Sequence, residues 1–530
     1  MELFKRKPIE AYWVDVHSYV GILIYGIISG FYLVKFPFVH SDESWLSGLS
    51  RNMIEKDSLK VTETFFDLYP RNPHGIKILF HKIQMIFMSI FSYDIWTFRL
   101  ISLISSLIGL CIFYLIIRKS NMKPIYSFFI TLTLGLNIQF IYASHFARQE
   151  AIILLGIIIN YLFLFRNIKE NRLINIIMMA ISTGLLIGVH PNSFVVGAMF
   201  ICSLFYLVLM KDKNSFKSMF TYFIGVGIFG AIFLFISLKL DPNFFSNYMS
   251  YGKTLNVDAP TVTRAMGIIM FYKKLFTRSL GTYYLPSIKM DFILFIGLIL
   301  WSTYNYLKDK STRIHLGVVL LNIIGYNLAT FLIGRYNQTS IIFLYPSMFL
   351  LLSINLKSLY SNSEKKIVYI ILCLFVATTV NSYMNLKDIN YNNYYDYIKR
   401  VSSSIPHNKK VLANLNTEYG FNNNQLYDYR NLNHLKENNM VFKEYIISRE
   451  IEYIVYSNEM DYIMRNRPKF NTLYGDISFY YEDMKSFLEN KCILIDEFED
   501  STYGIRINKY IDEGIWTIKI YRVKDHYKYR

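Results

Sequence analysis

The chain runs to 530 residues, 53% hydrophobic and 17% aromatic, with a mean hydropathy of +0.25 and a formal net charge of +17. That apolar content excludes an ordinary soluble domain. The basic balance does not point to nucleic acid, because Lys and Arg sit in short loops between apolar spans and no stripe of basic and aromatic residues suits a nucleic-acid module. Cys111, Cys202 and Cys373 lie within apolar spans and Cys492 stands apart, so neither a disulfide framework nor a metal-ligand spacing follows.

The N-terminus, Met1 to Glu10, is basic, and the long apolar stretch after it lacks a small-residue cleavage site, which predicts a retained first helix. Apolar segments long enough to cross a hydrocarbon core of about 30 Å, or short of it by an amount that tilt and neighbours absorb, recur along the chain. They read as 18–38, 95–117, 124–142, 150–165, 173–189, 193–210, 217–238, 289–307, 314–333, 338–356 and 366–383. Segment 76–91 decides the topology. It is short and interrupted by Lys77, His81, Lys82 and Gln84. Placed in the interface, it leaves Arg118–Lys123, Arg166–Arg172, Lys211–Lys217, Lys308–Arg313 and Lys357–Lys366 together on the inside with Lys5, Arg6 and Lys7. The prediction is eleven spans, N-terminus inside, C-terminus outside.

This topology gathers the informative polar residues on the extracytoplasmic side. The first outer loop opens His40-Ser41-Asp42-Glu43-Ser44-Trp45. An acidic pair beside lipid costs several kcal/mol unless paired or wet. One carboxylate suits a general base toward a hydroxyl, the other a cation or an acceptor; alternatively Ser41 or Asp42 simply caps a helix over Glu43–Glu55. Tyr69-Pro70-Arg71-Asn72-Pro73-His74-Gly75 is a rigid turn that presents Arg71 and His74 at the membrane surface, or else a helix-start turn with snorkelling cations. Arg99 opens the second span and either snorkels or pairs with an anion. In His145-Phe146-Ala147-Arg148-Gln149-Glu150, the Arg148 fork matches phosphate geometry and Glu150 can orient it. His190-Pro191-Asn192 is a tight turn, read as turn chemistry before ligation. Arg335 and Tyr336 lie on another outer turn. Loop 239–288 carries Lys253, Arg264, Lys273, Lys274 and Arg278 against the positive-inside trend, which points to an anionic partner such as a lipid phosphate.

After about residue 384, apolar runs shorten to strand length at Val411–Leu415, Tyr453–Tyr456, Cys492–Ile495 and Trp516–Val523, with helix-like stretches at Tyr394–Ser404 and Phe442–Glu450. The prediction is a transmembrane domain, 1–383, followed by a small extracytoplasmic α/β domain, 384–530.

Taken in order, these motifs resemble the membrane-embedded glycosyltransferases of the GT-C fold, in the branch of the protein O-mannosyltransferases and aminoarabinose transferases. The resemblance covers roughly residues 1–380. It rests on Asp42-Glu43 after the first span, Asn72-Pro73-His74 before an interfacial helix, and Phe98-Arg99-Leu100-Ile101-Ser102 at the start of the second span. Ala147-Arg148-Gln149-Glu150, and Arg335-Tyr336 followed by Tyr345-Pro346, complete it.

The resemblance implies an enzyme that transfers one sugar on the outer face, with inversion, from a polyprenyl phosphate to a hydroxyl of a glycan, lipid or protein acceptor. The abundance of Lys, Asn, Ile and Tyr points to a bacterial plasma membrane. Asp42 would be the base, with Glu43 the next choice. Arg148, Arg335, Arg99 and Arg264 would neutralise the departing phosphate, and His74, Arg71, Glu150, His190 and Tyr336 would serve the acceptor or support the site. No metal ligand or cofactor is assigned, though the acidic pair leaves room for a divalent cation. The alternatives are a transporter or flippase of polyprenyl-linked glycans and a noncatalytic assembly protein. A transporter calls for charges within the spans and two-fold sequence symmetry, whereas these spans are nearly free of acidic residues and the two halves do not resemble each other.

Overall fold

The computed structural model describes residues 9–68, 75–210, 214–254, 260–277, 286–334, 336–360, 364–387, 393–466, 477–504 and 515–525. Helices fill the first three quarters: α1 Ile9–Phe31, α2 Ser41–Glu55, α3 Ile78–Phe91, α4 Ile95–Lys119, α5 Pro124–Gly135, α6 Ile138–Ser144, α7 Glu150–Glu170 and α8 Leu173–Ile187. There follow α9 Ser193–Leu209, α10 Ser215–Leu240, α11 Phe244–Thr254, α12 Thr261–Thr277, α13 Lys289–Lys308, α14 Arg313–Ile333, α15 Tyr345–Tyr360 and α16 Glu364–Lys387. Among the described residues eight segments are long and apolar enough to cross a membrane: α1, α4, α7, α10, α13, α14, the 3₁₀ turn Gln338–Leu344 continuing into α15, and α16. A ninth is α5 with α6, bent by 68° where the Asn137 side chain accepts from the Gln139 N–H and interrupts the helix. The shorter apolar helices α8 and α9 account for the rest, so each of the eleven expected segments falls on helix.

The first span needs correction. It was expected to reach residue 38, but α1 ends at Phe31 and turns follow. Pro37 keeps the helix from running to residue 38, since proline has no N–H to donate and disfavours helical backbone in the residue before it.

Helix α3 has 14 residues, about 21 Å at 1.5 Å per residue against a core of about 30 Å. The 15-residue α8 falls short by nearly as much, so length alone does not decide the placement of α3. Its two faces differ. His81 and Gln84 are buried against α2, where Ser50 Oγ lies 2.8 Å from His81 Nδ1 and donates to Gln84 Oε1 at 2.7 Å. Ile86, Ile90 and Phe91 are exposed. One polar, protein-bound face and one apolar, open face describe a helix lying in the interface.

The last part of the chain is an α/β unit. Strands β1 Lys410–Ala413, β2 Leu426–Asp428, β3 Ile451–Ser457, β4 Cys492–Asp500 and β5 Trp516–Val523 form one sheet in the order β2-β1-β3-β5-β4. The β2-β1-β3 half is parallel and the β3-β5-β4 half antiparallel. Helices α17 Tyr394–Ser403, α18 Phe442–Ser448, α19 Glu459–Asn466 and α20 Ile477–Lys491 accompany it. The four expected strands are present and β2 is additional.

An apolar cluster containing Phe38, Phe65 and Phe98 with Val411, Tyr397 and Tyr503 joins this unit to the bundle. It therefore sits at the bundle end that carries α2, the end where α1 finishes and α4 begins. At the opposite end of α4 and α1, Arg118 pairs with Asp15 at 2.6 Å, beside the Arg118–Lys123 loop predicted to lie inside.

Candidate functional site

The site grows from the N-terminus of α2. His40 caps the helix: its Nδ1 accepts from the Asp42 N–H at 3.1 Å, and its own N–H donates to Glu43 Oε1 at 2.9 Å, closing a capping box. Neither Ser41 nor Asp42 is the cap, so the helix starts two residues earlier than expected. Glu43 is fully buried and bound on both oxygens. Arg99 donates to it through Nη2 to Oε1 (2.7 Å) and Nε to Oε2 (2.8 Å), and the Ala147 N–H donates to Oε2 (2.8 Å).

Arg99, read from the sequence as a donor-phosphate ligand, is equally engaged. Its remaining terminal nitrogen, Nη1, donates to the carbonyls of Leu33 (2.9 Å) and Pro37 (2.8 Å). Glu43 and Arg99 thus form a buried knot that ties the end of α1, the start of α2, the start of α4 and the segment after α6. A buried pair of this kind persists because each lone pair and proton is matched.

Asp42 faces differently. Its side chain is 18% exposed and Oδ2 accepts from Arg148 Nη1 at 2.8 Å, while Arg148 Nη2 lies 3.2 Å from Glu150 Oε1. Glu150 Oε1 also accepts from Thr339 Oγ1 at 2.6 Å. Glu150 Oε2 is buried with no hydrogen-bond partner among the described residues. The result is a line of groups, Asp42–Arg148–Glu150–Thr339, drawn from the first loop, the turn before α7 and the turn before α15. The 145–149 segment is fixed by Ser102 Oγ donating to the Phe146 carbonyl (2.7 Å) and by His145 Nδ1 against the Phe36 carbonyl (3.1 Å).

The other expected residues scatter more. Tyr336 donates to the backbone carbonyl of Arg264 at 2.5 Å, and Arg264 Nη1 donates to the Leu332 carbonyl at 2.8 Å. These two form a pair of their own, three residues along the same turn from Thr339. His190 accepts the Asn192 N–H at Nδ1 (3.1 Å), which is turn chemistry. Its helix end meets α3, since the Leu79 N–H donates to the Gly188 carbonyl at 2.8 Å. Arg71, His74 and Arg335 lie outside the described residues, as does Arg278. No group of three or more His, Cys, Asp or Glu side chains among the described residues is placed to hold a metal ion.

Against known proteins, the family model described as dolichyl-phosphate-mannose-protein mannosyltransferase matches residues 77–238. A comparison with curated protein sequences gives no match. Among solved structures, ArnT from Cupriavidus metallidurans bound to undecaprenyl phosphate superposes with a TM-score of 0.55 at 11% identity, over 78% of this chain and 85% of that one. The same protein in its apo state gives 0.56 at 9% identity, over 87% and 95%. The archaeal oligosaccharyltransferase AglB from Archaeoglobus fulgidus, in complex with an inhibitory peptide and a dolichol-phosphate, gives 0.56 at 11% identity, over 92% and 74%. The chain has the GT-C glycosyltransferase fold.

Within that GT-C fold, the acidic pair of the first loop divides into one carboxylate locked in the scaffold and one part-exposed carboxylate paired with the buried Arg148. Sequence reasoning missed His40 and Thr339. A histidine three residues before a glutamate is a weak capping signal beside serine and aspartate, and a threonine on a turn carries none.

Proposed function

We propose that this GT-C protein moves a sugar from a polyprenyl-phosphate donor to an acceptor hydroxyl on the extracytoplasmic face, inverting the anomeric carbon. The observation that carries the reading is the contrast between the two neighbouring carboxylates: Glu43 is saturated by four donors, whereas Asp42 keeps part of its surface open beside the Arg148 fork. The polyprenyl phosphates named with ArnT and AglB support a donor of that class.

In this reading Arg148 exchanges its contact with Asp42 for the donor phosphate, which releases Asp42 to act. The acceptor hydroxyl gives its proton to the Asp42 carboxylate, and its oxygen forms the new bond to the anomeric carbon. The bond from that carbon to the phosphate oxygen breaks on the opposite face, and polyprenyl phosphate departs with its added charge held by Arg148. Glu150, anchored by Thr339, orients the guanidinium. Arg264 of α12, whose carbonyl accepts from Tyr336, and Arg335, the residue before Tyr336 in the sequence, would add positive charge; Arg99 holds Glu43 in place. Arg71, His74, His190 and Tyr336 remain assigned to the acceptor side.

The test is Asp42→Asn in the purified chain, assayed against a panel of polyprenyl-phosphate sugars. Loss of a general base lowers turnover by about 100- to 10,000-fold with folding intact. Transfer at the wild-type rate would remove Asp42 from the mechanism.

A further inference from the structure

Helix α2 carries Asp42 at its start, yet it is short and polar, Ser41-Asp42-Glu43-Ser44-Trp45-Leu46-Ser47-Gly48-Leu49-Ser50-Arg51-Asn52-Met53-Ile54-Glu55. A helix of this length is marginal alone in water and depends on what packs around it. The Glu43–Arg99 knot holds one end and α3 holds the Ser50 face. The remaining side meets the α/β unit through the turn after β1. Tyr419 OH lies 2.8 Å from Ser47 Oγ, one helical turn beyond Glu43, and Ser47 Oγ itself donates to the Glu43 carbonyl at 2.9 Å. The Tyr419 ring also rests 6.1 Å from Phe98, the neighbour of Arg99.

Next to it, Glu418 is buried at 3% exposure and pairs with Arg51 Nη1 at 3.2 Å. Tyr93 donates to its other oxygen, and the Arg51 guanidinium stacks 4.5 Å over the Tyr93 ring while donating to the Phe421 carbonyl at 2.9 Å. Asn423 Nδ2 closes the far end of α2 on Glu55 Oε2 at 2.6 Å. The approach is close: a Cβ at Gly48 would lie 2.6 Å from the Phe65 ring and 3.6 Å from Glu418 Oε1. A buried carboxylate with no part in the proposed chemistry costs stability unless its pairing serves the fold.

We propose that the α/β unit completes the transfer site by clamping α2, with Glu418 and Tyr419 as positioning residues that hold Asp42 against Arg148. The inference rests on the reading of Asp42 as base. It makes the α/β unit part of the working site rather than an appendage that only recruits acceptor. Through Ser47 and Arg51 it grips α2 about one and two turns beyond Glu43, so loosening that grip frees Asp42 to swing while the donor-phosphate ligands stay on α7 and its preceding turn. The expected signature is a loss in turnover with little change in donor KM.

The experiment compares full-length Glu418→Ala, Glu418→Gln and Tyr419→Phe by two readouts: transfer kinetics with the polyprenyl-phosphate sugar that the wild-type chain consumes, and amide hydrogen exchange of residues 41–55. Glu418→Ala should lower kcat by about tenfold or more with donor KM within about twofold, and should speed exchange in 41–55 while leaving 95–119 unchanged. Glu418→Gln, which keeps an acceptor for Tyr93, should restore most of both. Tyr419→Phe, which removes one hydroxyl and keeps the ring, should fall between and remains informative if the alanine variant does not fold. Wild-type kcat in Glu418→Ala and Tyr419→Phe, or lost turnover with unchanged exchange in 41–55, would overturn the clamp. Failure of the underlying reading shows separately, as undiminished transfer by Asp42→Asn.

Discussion

Asp42 and Glu43 are chemically equivalent in the sequence and opposite in the structure, and the difference predicts how their variants fail. Asp42→Asn keeps shape and loses a partly exposed charge, so thermal unfolding in detergent should stay within about 1 kcal/mol of wild type while transfer is lost. Glu43→Gln leaves the Arg99 guanidinium buried and uncompensated among the Leu33 and Pro37 carbonyls, which should cost about 3–5 kcal/mol. Equal melting temperatures for the two variants would reject this division. Arg148→Lys tests the fork. Lysine keeps the charge but cannot bridge Asp42 and Glu150 through two terminal nitrogens, so donor KM should rise about tenfold or more. An unchanged KM would take Arg148 out of donor binding.

Among elements, α2 shows both the reach and the limit of reading a sequence. The acidic pair after an apolar span marked the helix and its importance, because carboxylates beside lipid demand an explanation. Its true cap, His40, was hidden because the signal lay in Glu43 reaching back three residues, a contact sequence rules assign to serine or threonine partners. The grip of Glu418 on Arg51 spans 367 positions, and no local pattern reports such a pairing. Likewise β2, three residues between asparagine-rich turns, is too short for an alternating pattern to register.

The same contact predicts a pH dependence. Burial lifts the Glu418 carboxyl from 4.5 to about 7, against the opposing pull of Arg51 and the Tyr93 hydroxyl. A carboxyl whose folded value lies above its unfolded one favours the folded state while protonated. Its contribution is therefore complete below about 4.5 and is lost as pH rises through about 7, on the order of 3 kcal/mol in all. Exchange in residues 41–55, corrected for the intrinsic chemical rate, should accelerate between pH 5.5 and 8, and Glu418→Gln should flatten that slope. Protection that instead increases with pH would contradict it.

At the scale of the whole molecule, the apolar segments, the α/β unit and the grouping of the first loop with residues 148 and 150 were all legible, because span length and the sign of loop charge are properties of composition. Of the partners within the group only Arg148 with Glu150 was legible. Asp42 with Arg148, Glu43 with Arg99 and Glu150 with Thr339 were not, because three helix ends meet there from distant parts of the chain. What ties the site to a compartment is the placement of α3 in the interface. Its polar face is occupied by Ser50 of α2 and its open face is apolar; the proposed topology takes this as a helix that does not cross, so that every later helix keeps its direction.

This direction is testable with single cysteines in exposed loops at the two ends: Lys436→Cys in the α/β unit and Lys310→Cys between α13 and α14. The native cysteines give a low background, since Cys492 is buried and the other three lie within the spans. A membrane-impermeant thiol reagent applied to intact cells should label Lys436→Cys at once and Lys310→Cys only after lysis. The reverse pattern would mean either that α3 crosses, which separates Asp42 from Arg148 and removes the proposed mechanism, or that the whole molecule is turned over. Labelling of both in intact cells would mean that an even number of spans, rather than the three formed by α14, α15 and α16, lies between the two positions, and would reject the topology.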